Sequence, residues 1–215
     1  MHELISAAAE DFAAAHTTSF DGALAAASDW TRANTQWPEM MAGLLEARLL
    51  EALIVISAAR AVLELGTFTG VGALAMAAAL PAGGRVVTLE RDPDNAAVAR
   101  RHIAASPLGD RVELIEGDAR EILPRLPGFF DVVWIDAWKA DYPLYLDLVL
   151  PKLAPRGIIV ADNLFRDGAT LTPAADDEAT CGVLDFARRV QEHQGLHNVL
   201  LTIGDGVLLA WPVPH

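Results

Sequence analysis

The chain has 215 residues, of which 53% are hydrophobic, so it is long enough and apolar enough to bury one core of ordinary size. Its formal net charge of −13 repels phosphate backbones and anionic lipid, which argues against a general role in binding nucleic acids or membrane surfaces. The single cysteine, Cys181, excludes an intrachain disulfide and a thiolate metal cluster. We therefore expect one domain over residues 1–215 that acts on a small molecule.

The N-terminal residues lack the pattern of a secretion signal. The segment MHELISAAAEDF has no basic stretch ahead of an apolar one, and no segment approaches roughly 18 uncharged apolar residues. We therefore expect a cytoplasmic protein. Residues 1–40 are alanine-rich and predicted to be helical, with breaks at Asp21-Gly22 and Pro38. We interpret them as a cap or as a contact in a homodimer.

Strands and helices alternate after this segment. Apolar residues recur three and four positions apart from Leu44 to Leu53, which predicts an amphipathic helix. Five short segments rich in β-branched residues follow, and all five look fully buried: AVLEL (61–65), RVVTLE (85–90), RVELIEG (111–117), FDVVWID (130–136) and GIIVADN (157–163). Helical patterns separate them at 72–80, 95–106, 119–126 and 142–153. This alternation predicts right-handed crossovers and a mostly parallel sheet with helices on both faces.

The last part of the chain changes character. GVLDFARRVQEHQ (182–194) predicts a helix, and NVLLTIGDGVLLAWP (198–212) predicts two strands joined by a hairpin turn at Gly204-Asp205-Gly206. A long polar loop, Phe165 to Thr180, follows the fifth strand, and such loops are often functional. The predicted fold is an α/β, Rossmann-like three-layer sandwich whose seven-stranded, mostly parallel sheet ends in an antiparallel hairpin.

Candidate cofactor residues follow the first three strands. In open α/β sheets, ligands lie outside the carboxyl ends of the strands. ELGTFTGVG (64–72) follows the first strand, and its glycines allow the backbone to approach a ligand closely. Its spacing departs from the G-x-G-x-x-G of nicotinamide dehydrogenases, and it lacks the P-loop lysine. Glu90 can accept hydrogen bonds from ribose hydroxyls and Asp118 from an adenine amino group, although either could instead serve a helix N-terminus.

Three oxygen-bearing side chains follow the fourth and fifth strands. Asp136 ends the fourth, and Asp162 and Asn163 end the fifth. Because adjacent strands lie about 4.8 Å apart, we expect these side chains to converge. Hard oxygen ligands suit Mg²⁺, with Mn²⁺ or Ca²⁺ as alternatives. The other interpretation is that both aspartates cap helices, which would leave two carboxylates side by side without a cation.

Lys139 and Trp138 complete the candidate site. Lys139 lies one helical turn past Asp136 and is expected to face the same opening. A partly desolvated lysine beside a cation can have a lowered pKa, so Lys139 is a candidate general base. Otherwise it is an ordinary surface lysine. Trp138 is either a wall for an aromatic ring or a packing side chain.

The segments VLELGTFTGVG, LE, GDA, IDAWK and ADN occur in this order and together resemble the class I S-adenosylmethionine (SAM)-dependent methyltransferases. Within that class they resemble the cation-dependent O-methyltransferases, which include catechol and caffeoyl-CoA O-methyltransferases. The resemblance runs from about Met40 to the C-terminal hairpin. Gly72 stands where this family usually has serine. The cofactor-binding residues that the resemblance implies are Met40, Ala42, Glu64, Gly66, Thr67, Phe68, Gly70, Gly72, Glu90, Arg91, Asp118, Ala119 and Asp136.

The resemblance also implies that Asp136, Asp162 and Asn163 bind a divalent cation and that Lys139 is the base. We therefore predict a SAM-dependent O-methyltransferase that acts on a small aromatic with two adjacent hydroxyls, contacted by Trp138, Lys139 and Asn163. A cation bound to both hydroxyl oxygens would stabilise the phenolate. Two alternatives stay open: a metal-independent methyltransferase, and a SAM-binding protein without turnover.

Overall fold

The structure, a computed structural model, describes residues 6–213; residues 1–5 of the predicted cap and residues 214–215 lie outside the described residues. One seven-stranded sheet forms its centre, with the strand order β3-β2-β1-β4-β5-β7-β6. Strands β1 to β5 are parallel, and β7 is antiparallel to both β5 and β6, which confirms the predicted fold. The strands are β1 Ala61–Leu65, β2 Arg85–Glu90, β3 Val112–Glu116, β4 Phe130–Ile135, β5 Leu153–Ala161, β6 Leu196–Leu201 and β7 Val207–Pro212.

The predicted helices are present, and one is longer than predicted. The C-terminal helix begins at Glu178, ahead of the predicted start, because the Asp177 side chain caps it by accepting from the backbone N–H of Thr180. A short 3₁₀ turn at Pro38–Met40 marks the predicted proline break. The helices are α1 Ala7–Ala15, α2 Gly22–Asn34, α3 Leu44–Ser57, α4 Val71–Ala79, α5 Pro93–Ala105, α6 Ala119–Ile122, α7 Tyr142–Val149 and α8 Glu178–Glu192.

Alternating residues of the central strands pack against different helical layers. Leu63 of β1 belongs to a core with Tyr142 of α7 and Phe186 of α8. Its neighbour Val62 belongs to a core with Leu50 of α3 on the opposite face. This follows from the two-residue period of a strand, and it explains why the central strands are apolar at successive positions.

Strand β3 differs from the prediction of five fully buried strands. All of its residues are half-buried or exposed, so that prediction is wrong for β3. The physical reason is its position at the edge of the sheet, where it pairs with β2 alone.

The hydrogen-bond ladder continues one residue beyond the strand ends. The backbone N–H of Asp136 donates to the Leu65 carbonyl at 2.9 Å, and that of Asp162 donates to the Ile135 carbonyl at 3.1 Å. Segments that leave β1, β4 and β5 therefore stay side by side. Strand order reverses at β1, between its neighbours β2 and β4, and a crevice at such a point is where open α/β sheets bind ligands.

The N-terminal segment forms two helices, α1 and α2. Phe12 of α1 is 66% exposed. Among the helices of residues 6–213, none combines the length and the apolar character needed to cross a membrane. The single domain, the homodimer and the cytoplasmic location stay predictions.

Candidate active site

A cavity of about 780 Å³ opens at the carboxyl ends of the parallel strands. Of the predicted site residues, all except Gly70 line it: Met40, Ala42, Glu64, Gly66, Thr67, Phe68, Gly72, Glu90, Arg91, Asp118, Ala119, Asp136, Trp138, Lys139, Asp162 and Asn163. A second cavity of about 320 Å³, between α5 and β3, contains none of them. The candidate site is therefore the larger cavity.

Two glycines of the loop after β1 have different roles. Gly66 has a φ of 93°, and a Cβ there would overlap the carbonyl oxygen of Asp136. Glycine at this position lets the β1 and β4 ends approach closely. Gly70, with a φ of 90°, precedes α4, and a Cβ there would lie 3.4 Å from Ala99 of α5. Gly70 lies against α5 and is not among the residues that line the cavity, and its contact with the cofactor stays a prediction.

Glu64 is a buried acid in the cavity wall, only 1% exposed. Its Oε2 accepts a hydrogen bond of 2.5 Å from Thr88 Oγ1, and Thr88 is in turn hydrogen-bonded to the hydroxyl of Thr67. Burial raises the pKa of Glu64 to about 8. A Cβ on Gly72 would collide with Glu64 Oε1, so the missing side chain at position 72 leaves room for this carboxylate.

Glu90 anchors the glycine-rich loop. Its Oε2 accepts from the backbone N–H groups of Thr67 at 3.1 Å and Phe68 at 2.7 Å, and its Oε1 accepts from Asp92 N–H at 2.8 Å. Burial raises the pKa of Glu90, although these three hydrogen bonds oppose the rise. The residue that caps α5 with its side chain is Asp92, and Glu90 serves this helix N-terminus only through the hydrogen bond that it accepts from Asp92 N–H.

Asp118 does cap a helix, as the alternative interpretation held. Its Oδ1 accepts from the Arg120 backbone N–H at 2.9 Å, at the start of α6. The Arg120 guanidinium also donates to both carboxylate oxygens. These hydrogen bonds lower the pKa of Asp118. Both oxygens of the Asp118 carboxylate therefore already accept hydrogen bonds from Arg120 before any ligand binds.

Helices α2 and α5 hold the glycine-rich loop from outside. The hydroxyls of Thr31 in α2 and Thr69 in the loop are hydrogen-bonded at 2.8 Å, and both side chains are buried. The carbonyl of Thr69 accepts from His102 Nδ1 of α5 at 2.9 Å. Sequence reasoning missed these contacts because Thr31 precedes the loop by a full helix and strand.

Asp136, Asp162 and Asn163 line the cavity at the ends of β4 and β5. Asp162 is 7% exposed, and its Oδ1 accepts from the Asn163 backbone N–H at 2.7 Å. Burial, and then the charge of Asp136, raises the pKa of Asp162 well above its ordinary value. Within residues 6–213, no cluster of three or more His, Cys, Asp or Glu side chains is arranged to hold a metal ion. The predicted ligand set comprises two acids and one amide.

Lys139 is a buried partner of Asp136. Its Nζ donates to Asp136 Oδ1 at 2.6 Å, and its side chain is 14% exposed, so it is not a surface lysine. Burial acts to lower the pKa of Lys139, but the neighbouring Asp136 and Tyr142 raise it further than burial lowers it. The expected lowering of this pKa is wrong for the ion-paired arrangement. Trp138 is 52% exposed at the cavity, which disfavours a packing role.

Sequence reasoning singled out the loop after β5 but not the two of its residues that line the cavity within the segment 163–168. Arg166 and Asp167 of this loop line the cavity, together with Asp205 of the hairpin turn. Asp205 Oδ1 accepts from the Asp167 N–H at 2.8 Å, and its carbonyl accepts from the Phe165 N–H at 2.8 Å. The sequence feature that could have indicated this contact is Asp205, between Gly204 and Gly206, but we interpreted these residues only as a hairpin turn.

The raised pKa of Glu64 gives a pH-dependent stability. Between about pH 4.5 and pH 8 the folded state holds a proton that the unfolded state has released, so the free energy of unfolding falls as pH rises, by at most about 1.4 kcal/mol per unit. We expect Glu64→Gln to remove this fall. Urea unfolding of the cofactor-free protein at several pH values measures it. The exposed Glu113→Gln is the control, and identical slopes in wild type and Glu64→Gln would contradict the prediction.

Comparison with known proteins gives the family. Residues 16–212 match the model of the O-methyltransferase family. A catechol O-methyltransferase of Niastella koreensis is 36% identical over 203 residues, which cover 88% of this chain and 90% of the relative. A catechol O-methyltransferase of Mycobacterium tuberculosis is 37% identical over 201 residues, which cover 88% of each.

A solved structure resembles the whole chain. The O-methyltransferase TomG from Streptomyces achromogenes, in complex with SAM, superimposes with a TM-score of 0.89 at 28% identity and covers 100% of both chains. The cavity described above lies at the strand ends where this fold class binds ligands. The chain therefore belongs to the O-methyltransferase family, and it is a SAM-dependent O-methyltransferase.

Proposed function

We propose that the enzyme transfers the methyl group of SAM to a hydroxyl of a small aromatic that carries two adjacent hydroxyls. In this proposal Asp136, Asp162 and Asn163 hold a divalent cation and Lys139 is the general base. The observation that carries the proposal is the pair of neighbouring carboxylates in the cavity wall, with a buried lysine on one of them. The two relatives named catechol O-methyltransferase support the acceptor class.

The cofactor would lie along the ends of β1 to β3. The ribose hydroxyls would donate to Glu90, whose Oε1 accepts only one of the three backbone hydrogen bonds that this carboxylate receives. The adenine would lie beside Asp118 and Ala119. The loop with Glu64, Gly66 and Gly72 would then face the rest of the cofactor, in line with the acceptor end at β4 and β5.

The residues present fit a divalent cation. Asp136 and Asp162 follow paired positions of adjacent strands, since Ile135 of β4 pairs with Ala161 of β5. A buried carboxylate, Asp162, lies beside the half-buried Asp136 in the cavity wall, and the pKa of Asp162 is raised first by burial and then by the charge of Asp136. Carboxylate and amide oxygens suit Mg²⁺, with Mn²⁺ or Ca²⁺ as alternatives. Such an ion would supply positive charge that favours the ionised form of an aromatic hydroxyl.

Lys139 would take the hydroxyl proton. Its Nζ lies at the cavity beside Asp136, and only a small part of its side chain reaches solvent. Engagement of Asp136 by a cation would weaken the ion pair that raises the Lys139 pKa, whereas the lowering effect of burial would remain. The methyl group would pass in line from sulfur to oxygen. The protein's main contributions are then alignment and charge stabilisation.

A methyl-transfer screen tests the proposed function. We expect product from catechol and 3,4-dihydroxy aromatics but not from phenols with a single hydroxyl, because the cation must bind two oxygens. Chelation with EDTA should abolish turnover, and added Mg²⁺ should restore it. Mass spectrometry of the products measures both effects. Full activity in EDTA would indicate metal-independent transfer, and SAM binding without product from any catechol would indicate a protein without turnover.

Substitution of the lysine tests its role. We expect Lys139→Met to lower kcat by roughly 10²- to 10⁴-fold, the usual contribution of a general base, with SAM affinity nearly unchanged. Single-turnover kinetics and calorimetry measure the two quantities. Lys152→Met is the control, since Lys152 donates to the Leu126 carbonyl away from the cavity. An equal loss of turnover and SAM affinity would make Lys139 a positioning residue.

The hydrogen bond between Thr31 of α2 and Thr69 of the glycine-rich loop is expected to affect SAM binding. Thr31→Val removes the hydroxyl that bonds Thr69, so we expect the Kd for SAM to rise about 5- to 10-fold, the loss of one buried hydrogen bond. Calorimetric titration measures this change. Thr31→Ser should retain wild-type affinity. Thr17→Val, which removes only a bond to the Ala13 carbonyl within the N-terminal segment, is the matched control. Equal affinities in Thr31→Val and wild type would contradict the expectation.

A further inference from the structure

Arg166, at the proposed acceptor end of the cavity, has a hydrogen-bond donor that no group of the described residues accepts. It lines the cavity in loop 163–168, and its Nε is buried without any hydrogen-bond partner. Leaving such a donor unpaired costs about 1–3 kcal/mol. The nearest ion-pair partner is Asp177, whose Oδ1 lies 3.8 Å from Arg166 Nη2, beyond hydrogen-bond distance. That carboxylate already accepts from the Thr180 hydroxyl and N–H.

The backbone holds Arg166 in an unfavourable conformation. Its φ is 51°, in the left-handed region that side-chain-bearing residues seldom adopt, and the next residue, Asp167, has a φ of 52°. Strain of this kind costs on the order of 1–3 kcal/mol and persists where surrounding contacts impose it. Here the hairpin turn imposes it, through the hydrogen bonds from Phe165 and Asp167 to Asp205. The loop is therefore held in a conformation that presents Arg166 to the cavity.

Arg166 is the cavity-lining cation of this end whose ion pair, with Asp177 at 3.8 Å, is longer than a hydrogen bond. Among the described residues that line the cavity, the remaining cations are Lys139, which is paired with Asp136, and Arg91, which lies beyond the end of β2. Asp167 is exposed, so solvent screens its charge. Asp205 accepts the Asp167 N–H, which satisfies part of its carboxylate.

From these observations we infer that Arg166 is a specificity-determining residue that receives a carboxylate carried by the acceptor ring. This inference rests on the proposed function. Asn163 and Arg166 are three residues apart, so a chain segment of at most about 11 Å separates them. One aromatic ring could hold its hydroxyls at the Asn163 end and a carboxylate at the guanidinium. The Arg166 side chain is 31% exposed although its Nε is buried, so the accessible part of the guanidinium is the part that would meet this group. A guanidinium binds a carboxylate through two parallel hydrogen bonds.

The experiment compares three acceptors that share one ring: 3,4-dihydroxybenzoate, its neutral methyl ester and the cation dopamine. We expect the wild-type enzyme to favour the carboxylate over the ester by about 10- to 100-fold in kcat/KM, the value of charge-assisted hydrogen bonds. Arg166→Gln should lose this preference while keeping its activity on the ester, which also shows that the variant folds. Arg166→Lys should keep only part of the preference. Arg100→Gln is the control, because Arg100 pairs with Glu116 outside the cavity.

Calorimetric binding of the same three molecules, with S-adenosylhomocysteine present, gives a second readout. Tighter binding of the carboxylate than of the ester in wild type, but not in Arg166→Gln, supports the inference even if no acceptor is methylated. Failure to methylate any acceptor would overturn the proposed function and leave this binding result to decide the inference. Equal use and equal binding of carboxylate and ester, or a preference for dopamine, would overturn the inference alone.

Discussion

Asp136 and Asp162 stand side by side because the backbone N–H of each bonds to the neighbouring strand one residue beyond the sheet. This register leaves the buried Asp162 and the half-buried Asp136 at one wall of the cavity, where Lys139 supplies a single positive charge through its ion pair with Asp136. Residual negative charge in a partly desolvated wall is unfavourable unless a cation balances it. The proposed metal, the proposed base and the proposed acceptor all depend on this imbalance.

The two ends of the cavity are stabilised in different ways. At the cofactor end, the carboxylate of Glu90 is satisfied by backbone N–H groups and that of Glu64 by a threonine hydroxyl. These acids fix the glycine-rich loop before any ligand is present. The proposed acceptor end is built on a loop with several left-handed residues, and Arg166 Nε in this loop is buried without a hydrogen-bond partner. The proposed cofactor end is thus preorganised by hydrogen bonds within the protein, whereas the proposed acceptor end has an unpaired donor that a ligand could bind.

The sequence predicted the sheet and most of the cavity wall because both depend on local patterns. Apolar runs marked the strands, and the residues directly after each run, such as Asp136, had to lie at one edge of a parallel sheet. Features that depend on three-dimensional neighbours were not predictable in this way. The exposure of β3 follows from strand order, and the packing of Gly70 follows from the position of α5. The raised pKa of Lys139 follows from a 2.6 Å contact, and the exposure of Arg166 to the cavity follows from left-handed backbone angles.

The hairpin β6–β7 bears on how the enzyme is made. Its turn residue Asp205 holds loop 163–168 in place, and β7 pairs with β5 next to the acid pair. A nascent chain on the ribosome presents β1 to β4 and their glycine-rich loop well before these last strands emerge. The segments that would hold SAM therefore emerge first, whereas the loop proposed to recognise the acceptor gains its hydrogen bonds to Asp205 only after the last strands have been made.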